Sequence, residues 1–138
     1  MEFKYIRQPT YGYRFRGCHR VSGRTFPVSG FDDDCVFACI DGETAVFDRE
    51  DCDIDQWTGL LDQDEQMVFT NDIVEVRNTV GRPVGLFTVR YNSIEGRHIL
   101  DGMTPGANRS RLTVHQDVRV VGNTHERHIS RKGYEHAE

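Results

Sequence analysis

Apolar and polar residues alternate along this chain with a period of two, and that pattern restricts most of it to extended strands. Tyr11, Tyr13 and Phe15 alternate with Gly12, Arg14 and Arg16, and Phe87, Val89 and Tyr91 alternate with Thr88, Arg90 and Asn92. Further β-rich runs fall at Thr25 to Ser29, Cys35 to Ile40, Glu43 to Phe47, Met67 to Phe69, Ile73 to Arg77, Arg97 to Leu100, Leu112 to His115 and Val118 to Gly122. Turn signals separate them: Val21-Ser22-Gly23, Asp41-Gly42, Gly81-Arg82-Pro83, Glu95-Gly96 and Thr104-Pro105-Gly106. Many short strands with turns between them predict a mainly β protein, a small barrel or meander. Helical signals reduce to one turn near Asp51 to Gln56, and the tail 126–138, with no apolar run, is expected to be frayed or a short terminal helix.

Charge is distributed unevenly along the 138 residues. Residues 1–30 carry six basic residues against one acid, 31–72 carry fourteen acids and only Arg49, and 73–138 carry ten basic residues against seven acids. One reading is that the acidic middle folds beside its basic flanks and the charges are solvated or paired on the surface. The sharper one is an acidic face for a basic partner, formed by Asp32, Asp33, Asp34, Asp48, Glu50, Asp51, Asp53 and Asp55. Arginine outnumbers lysine fifteen to two, which a GC-rich coding genome explains without any appeal to function.

The four cysteines, Cys18, Cys35, Cys39 and Cys52, are expected to be reduced thiols rather than disulfides or zinc ligands. Cys35 and Cys39 lie in an alternating stretch, where residues four apart are ~13 Å apart along a strand. His125 and His128 carry little weight as metal ligands at the end of a polar tail. Without a nucleophile elbow, phosphate loop or dinucleotide fingerprint, the chain is read as a non-enzyme with no cofactor. A second class is single-stranded nucleic-acid binding, with Arg90, Tyr91, Arg97 and Phe87 lining a groove. A net charge of -5 weighs against it. No window approaches the roughly 20 apolar residues of a membrane span and the first residues lack an apolar signal core, so a cytoplasmic location is expected.

Three segments read together as a signature: Trp57-Thr58-Gly59-Leu60-Leu61-Asp62, then Asn71-Asp72-Ile73-Val74, then Val121-Gly122-Asn123-Thr124-His125-Glu126. In this order they resemble the YopX-like proteins of phages and prophages. Gly85 to Tyr91 and Tyr13 to Arg16 fit two further family strands loosely. The resemblance implies an SH3-like barrel over 56–125, preceded by an N-terminal β-hairpin or meander extension over 1–55 and followed by the tail 126–138. It implies no activity, and the expected role is an interaction module for a host or phage protein, an acidic-surface inhibitor in its most pointed form, inside the host cell. An N-terminal hairpin with an open edge also suits self-association as a dimer or small ring.

Each motif has a structural meaning of its own. Thr58-Gly59 suits a turn, and Asp62 suits an acceptor for the backbone two residues on. Asp64-Glu65 stands where the family has Asn-Gly. Asn71 stands where the family has glycine, and asparagine tolerates the left-handed region. Asp72 is expected to fix the start of a strand, Gly122-Asn123 to end one, and Trp57 to lie in or near the core.

Overall fold

The chain, described by a computed structural model over residues 13–113 and 116–126, is mainly β, a small barrel-like fold built from two antiparallel sheets. Its strands are β1 (Phe15–His19), β2 (Thr25–Phe31), β3 (Cys35–Ile40), β4 (Glu43–Asp48), β5 (Cys52–Leu61), β6 (Met67–Phe69), β7 (Asp72–Arg77), β8 (Pro83–Asn92), β9 (Arg97–Gly102), β10 (Ser110–Arg111) and β11 (Asp117–Asn123). One 3-10 turn, Arg49–Asp51, joins β4 to β5, and there is no α-helix among the described residues. One sheet runs β4-β3-β2-β1-β5-β6 and the other β10-β9-β8-β7-β11. The chain divides into two compact units after Trp57, and β5 runs through the division.

In the first unit, alternation sets which face each strand buries. Phe26, Val28, Val36, Ala38 and Cys52 form its buried cluster, with Phe15, Ile40, Ala45, Phe47 and Ile54 packed around it. Phe26 stacks on Phe47 at 4.9 Å between ring centroids. It also lies across the register from Gly17, where a Cβ would come within 2.5 Å of the Phe26 ring. Glycine is thus the residue that lets this aromatic cover β1. The helical turn expected at Asp51 to Gln56 is a strand from Cys52 onward, because Cys52, Ile54 and Gln56 pair with His19, Gly17 and Phe15. Tyr11 and Gly12, the first residues of the expected N-terminal strand, lie outside the described residues; β1 itself begins at Phe15.

The second unit packs Val68, Val74, Phe87, Val89, Leu100 and Val118 into its own core, with Val76, Ala107, Leu112 and Val120 against it. The strand expected from Leu112 is instead the two-residue β10, which pairs Ser110 with Leu100 and Arg111 with Ile99 and frees Leu112 for the core. His115 lies outside the described residues. Segment 103–107 folds closely back over β8 and β9: a Cβ at Gly102 would fall 1.7 Å from the Ala107 carbonyl oxygen. The Thr58-Gly59 turn is also absent. Strand β5 continues through it to Leu61, and Gly59 accommodates a φ of 91° within the strand.

Candidate functional site

Six of the eight proposed acidic-face residues gather at one end of the first unit. β3 begins where β4 ends, with Cys35 opposite Asp48. The Arg49 N–H donates to the Asp34 carbonyl at 2.9 Å, so the 32–34 loop lies beside the 49–51 turn. The loop is fixed from within, for Asp32 Oδ1 accepts the N–H groups of Asp34 and Cys35, each at 2.8 Å. Those bonds favour the carboxylate and hold Asp32 below the ordinary aspartate range, the Cys35 bond contributing most. Asp32, Asp33, Asp34, Asp48, Glu50 and Asp51 are all exposed, and none forms an ion pair among the described residues. Arg49 is the cation among them, but it is turned onto its own unit: Nη1 donates to the Cys52 carbonyl at 3.0 Å and the guanidinium lies 5.6 Å from the Phe31 ring centroid.

The other two acids belong elsewhere. Asp55 is fully buried and receives Arg16 Nη2 at 2.8 Å and Nε at 3.1 Å on one oxygen. It is directly opposite Arg16 in the β1–β5 ladder, so it is an internal ion pair rather than part of a surface. Asp53 is half-buried and paired with Arg20 Nε at 3.0 Å. Arg20 also donates to the carbonyls of Glu50 and Cys52, while its own N–H donates to the Asp51 carbonyl at 2.9 Å. Two of the basic residues near the N-terminus are therefore satisfied within their own unit.

Strand alternation takes the arginine and aromatic groove apart. Phe87 and Tyr91 point to the core face of β8 and Arg90 to the opposite one, with Arg97 diagonal to it on β9. Phe87 is 3% exposed and unavailable to a ligand, while Tyr91, 55% exposed, meets His98 edge-on at 5.2 Å. Burial disfavours the charged imidazole there and lowers the His98 pKa. Arg90 Nη1 donates to Asn71 Oδ1 at 2.6 Å and Arg97 sits 3.5 Å from Glu95. These four residues do not line one groove.

The three signature segments, distant in sequence, converge around β11. Asp62 is buried; Oδ1 accepts the N–H groups of Asp64 and Gln66 at 2.8 Å, and Oδ2 accepts that of Val120 at 2.9 Å. Asn71 takes the left-handed conformation (φ 71°) that asparagine tolerates, and its carbonyl accepts the Thr124 N–H at 2.8 Å. Asp72, also buried, accepts the Phe69 N–H at 2.8 Å and pairs with Asn123 in the β7–β11 ladder. Asn123 Oδ1 accepts the N–H groups of His125 and Glu126, and Gly122 follows a register shift in the same strand. Thr58 Oγ1 accepts the Leu60 N–H at 3.2 Å, and Trp57 is half-buried. The convergence on β11 could not be read from the segments singly, since it depends on which strand the last one pairs with.

Cys35 and Cys39 lie on β3 as half-buried free thiols; Cys18 and Cys52 are buried free thiols, and burial raises both of their pKa values. Among the described residues no group of three or more His, Cys, Asp or Glu is placed to hold a metal ion, and no helix is long and apolar enough to cross a membrane. His128 lies outside the described residues. No protein-family model matches the chain, and no curated protein matches it either. Among solved structures it is similar to protein EF1440 from Enterococcus faecalis, at 19% identity and a TM-score of 0.53, over 82% of this chain and 93% of that one. That likeness is one of fold.

Proposed function

We propose that this chain is a YopX-like, phage-type interaction module without catalytic activity that docks a basic host or phage protein through the acidic end of its first unit. The observation that supports this reading is the convergence of Asp32, Asp33, Asp34, Asp48, Glu50 and Asp51 from two segments, 32–34 and 48–51, onto one exposed end, without ion-pair partners among the described residues. A one-signed surface of this kind steers association with an oppositely charged partner and selects against acidic ones. A foreign partner suits it better than a second copy of the chain, because Arg16 and Arg20 already serve Asp55 and Asp53 in their own unit. Inhibition of a basic host protein is the most specific form of this role. The test is affinity capture from infected or lysogenic cells, run beside a variant with Asp33, Asp34, Glu50 and Asp51 all changed to Lys. A basic protein retained by the parent at low salt, released at high salt and missed by the variant is the expected result. Equal capture by both proteins would overturn the reading, and so would recovery of nucleic acid alone.

A further inference from the structure

Four strand ends bound the two sheets, and three of them are closed to further pairing. β6 has three residues and β10 two, too short to template another strand. β11 is longer, but its outer side is occupied, since the Val118 carbonyl accepts the Gln63 N–H and the Val120 N–H is held by Asp62. β4 is different: six residues at the end of the first sheet, with nothing beyond it among the described residues. Natural proteins rarely leave such an edge open without a use for it.

The hairpin geometry shows which β4 groups are free to pair. Asp41 and Gly42, both with positive φ, form a two-residue loop between Ile40 and Glu43, as a type I′ turn requires. Pairs 40–43, 38–45 and 36–47 then exchange hydrogen bonds across the ladder, and Thr44, Val46 and Asp48 direct their N–H and C=O groups away from β3. On the face that carries their side chains, Val46 is 58% exposed and lies directly opposite Phe37, 37% exposed, to give a small apolar platform. At the Asp48 end of this platform begin the exposed carboxylates of the 32–34 loop and the 49–51 turn.

Resting on the docking role proposed above, we infer that β4 receives an extended, basic segment of the partner as an additional strand. Main-chain hydrogen bonds to Thr44, Val46 and Asp48 supply the pairing, Val46 and Phe37 take an apolar side chain, and the acids beyond Asp48 take the segment's arginines or lysines. The edge is poorly suited to a second copy of itself. Two β4 strands paired antiparallel through these outward groups would centre on Val46 and set Thr44 of each copy opposite Asp48 of the other, so the Asp48 carboxylate would gain no cation. A basic strand meets the same positions with complementary charge.

The probe is a synthetic peptide alternating Arg and Val, compared with the same peptide N-methylated at alternate residues, which keeps the charge but removes the pairing donors. Binding should slow hydrogen exchange at the Thr44, Val46 and Asp48 amides, and N-methylation should weaken it about tenfold or more, since several backbone bonds are lost together. Val46→Pro, which removes an outward N–H while leaving the β3 ladder intact, should do the same. Binding that is salt-sensitive but indifferent to N-methylation and to Val46→Pro would overturn strand addition and leave acidic docking standing. No binding of either peptide at low salt would overturn both. Exchange protection of β4 in the protein alone, rising with its concentration, would give the edge to a second copy and overturn the basic segment as its occupant.

Discussion

Replacing Asp62 with alanine removes the acceptor for three main-chain donors at once and tests whether the second unit depends on that carboxylate. Asp62 is buried and bonds Asp64 and Gln66 through one oxygen and Val120 through the other, at 2.8 to 2.9 Å. Asp64 and Gln66 are exposed residues, whose N–H groups water can serve once the carboxylate is gone, so each of those bonds is worth about 1 kcal/mol. Val120 lies against the core on β11, and stranding its N–H costs about 1–3 kcal/mol. Asp62→Ala should therefore cost about 3–5 kcal/mol. Asp62→Asn keeps one oxygen for the loop and turns an N–H toward the Val120 donor, for a loss of about 1–3 kcal/mol. Urea unfolding followed by far-ultraviolet circular dichroism measures both, and hydrogen exchange separates them. The Val120 amide should lose protection in both variants, the Gln66 amide chiefly in the alanine variant. A loss below about 1 kcal/mol for alanine, or equal losses for the two variants, would refute the account of Asp62 as the bond between the 62–66 loop and β11.

Gly102→Ala should cost about 3 kcal/mol or more, because its Cβ would overlap the Ala107 carbonyl and either β9 or the 103–107 segment must move; Gly30→Ala, with open space around it and no positive φ, should cost far less, as thermal melts will show. Thiol labelling at neutral pH should modify Cys35 and Cys39 well before Cys18 and Cys52, whose buried thiols resist ionisation; simultaneous labelling of all four in the folded protein would contradict the burial. Asp32, held below its ordinary pKa of 3.8, stabilises the fold fully above that value, and the contribution is lost as pH falls through its lowered folded pKa. Asp32→Lys should flatten the acid limb of a stability profile measured by urea titration at successive pH values.

The strands were legible wherever one face is apolar and the other polar, as in Cys35 to Ile40, whose boundaries agree with β3. They were less legible where the rule has an exception. Asp53 and Asp55 alternate with Cys52 and Ile54, which marks a strand, but acids in that pattern read as solvent-facing; the burial of Asp55 follows from Arg16 across the ladder, and pairing is not written in either segment. Thr58-Gly59 reads as a turn because glycine permits one, yet a single positive φ can be absorbed within a strand. The same limit governed the sites. Charge density located the acidic end, because six of its residues are near neighbours in sequence and in space. The arginine and aromatic groove failed on parity, since Arg90 and Tyr91 are consecutive and consecutive residues face opposite ways.

The closure of β11 onto β7 bears on how the protein emerges during synthesis. β1 to β4 pair in order of appearance, each hairpin complete soon after its second strand is made. In the second unit Asp62, Asn71 and Asp72 are made early, but their partners Val120, Thr124 and Asn123 come near the end of the chain. Until then β7 is itself an unpaired edge on one side, and the carboxylates of the signature have nothing in β11 to hold. Non-local pairing of this kind slows folding and prolongs the exposure of apolar strands. A chain that stops before Val118 would therefore carry a finished first unit joined to an aggregation-prone remainder.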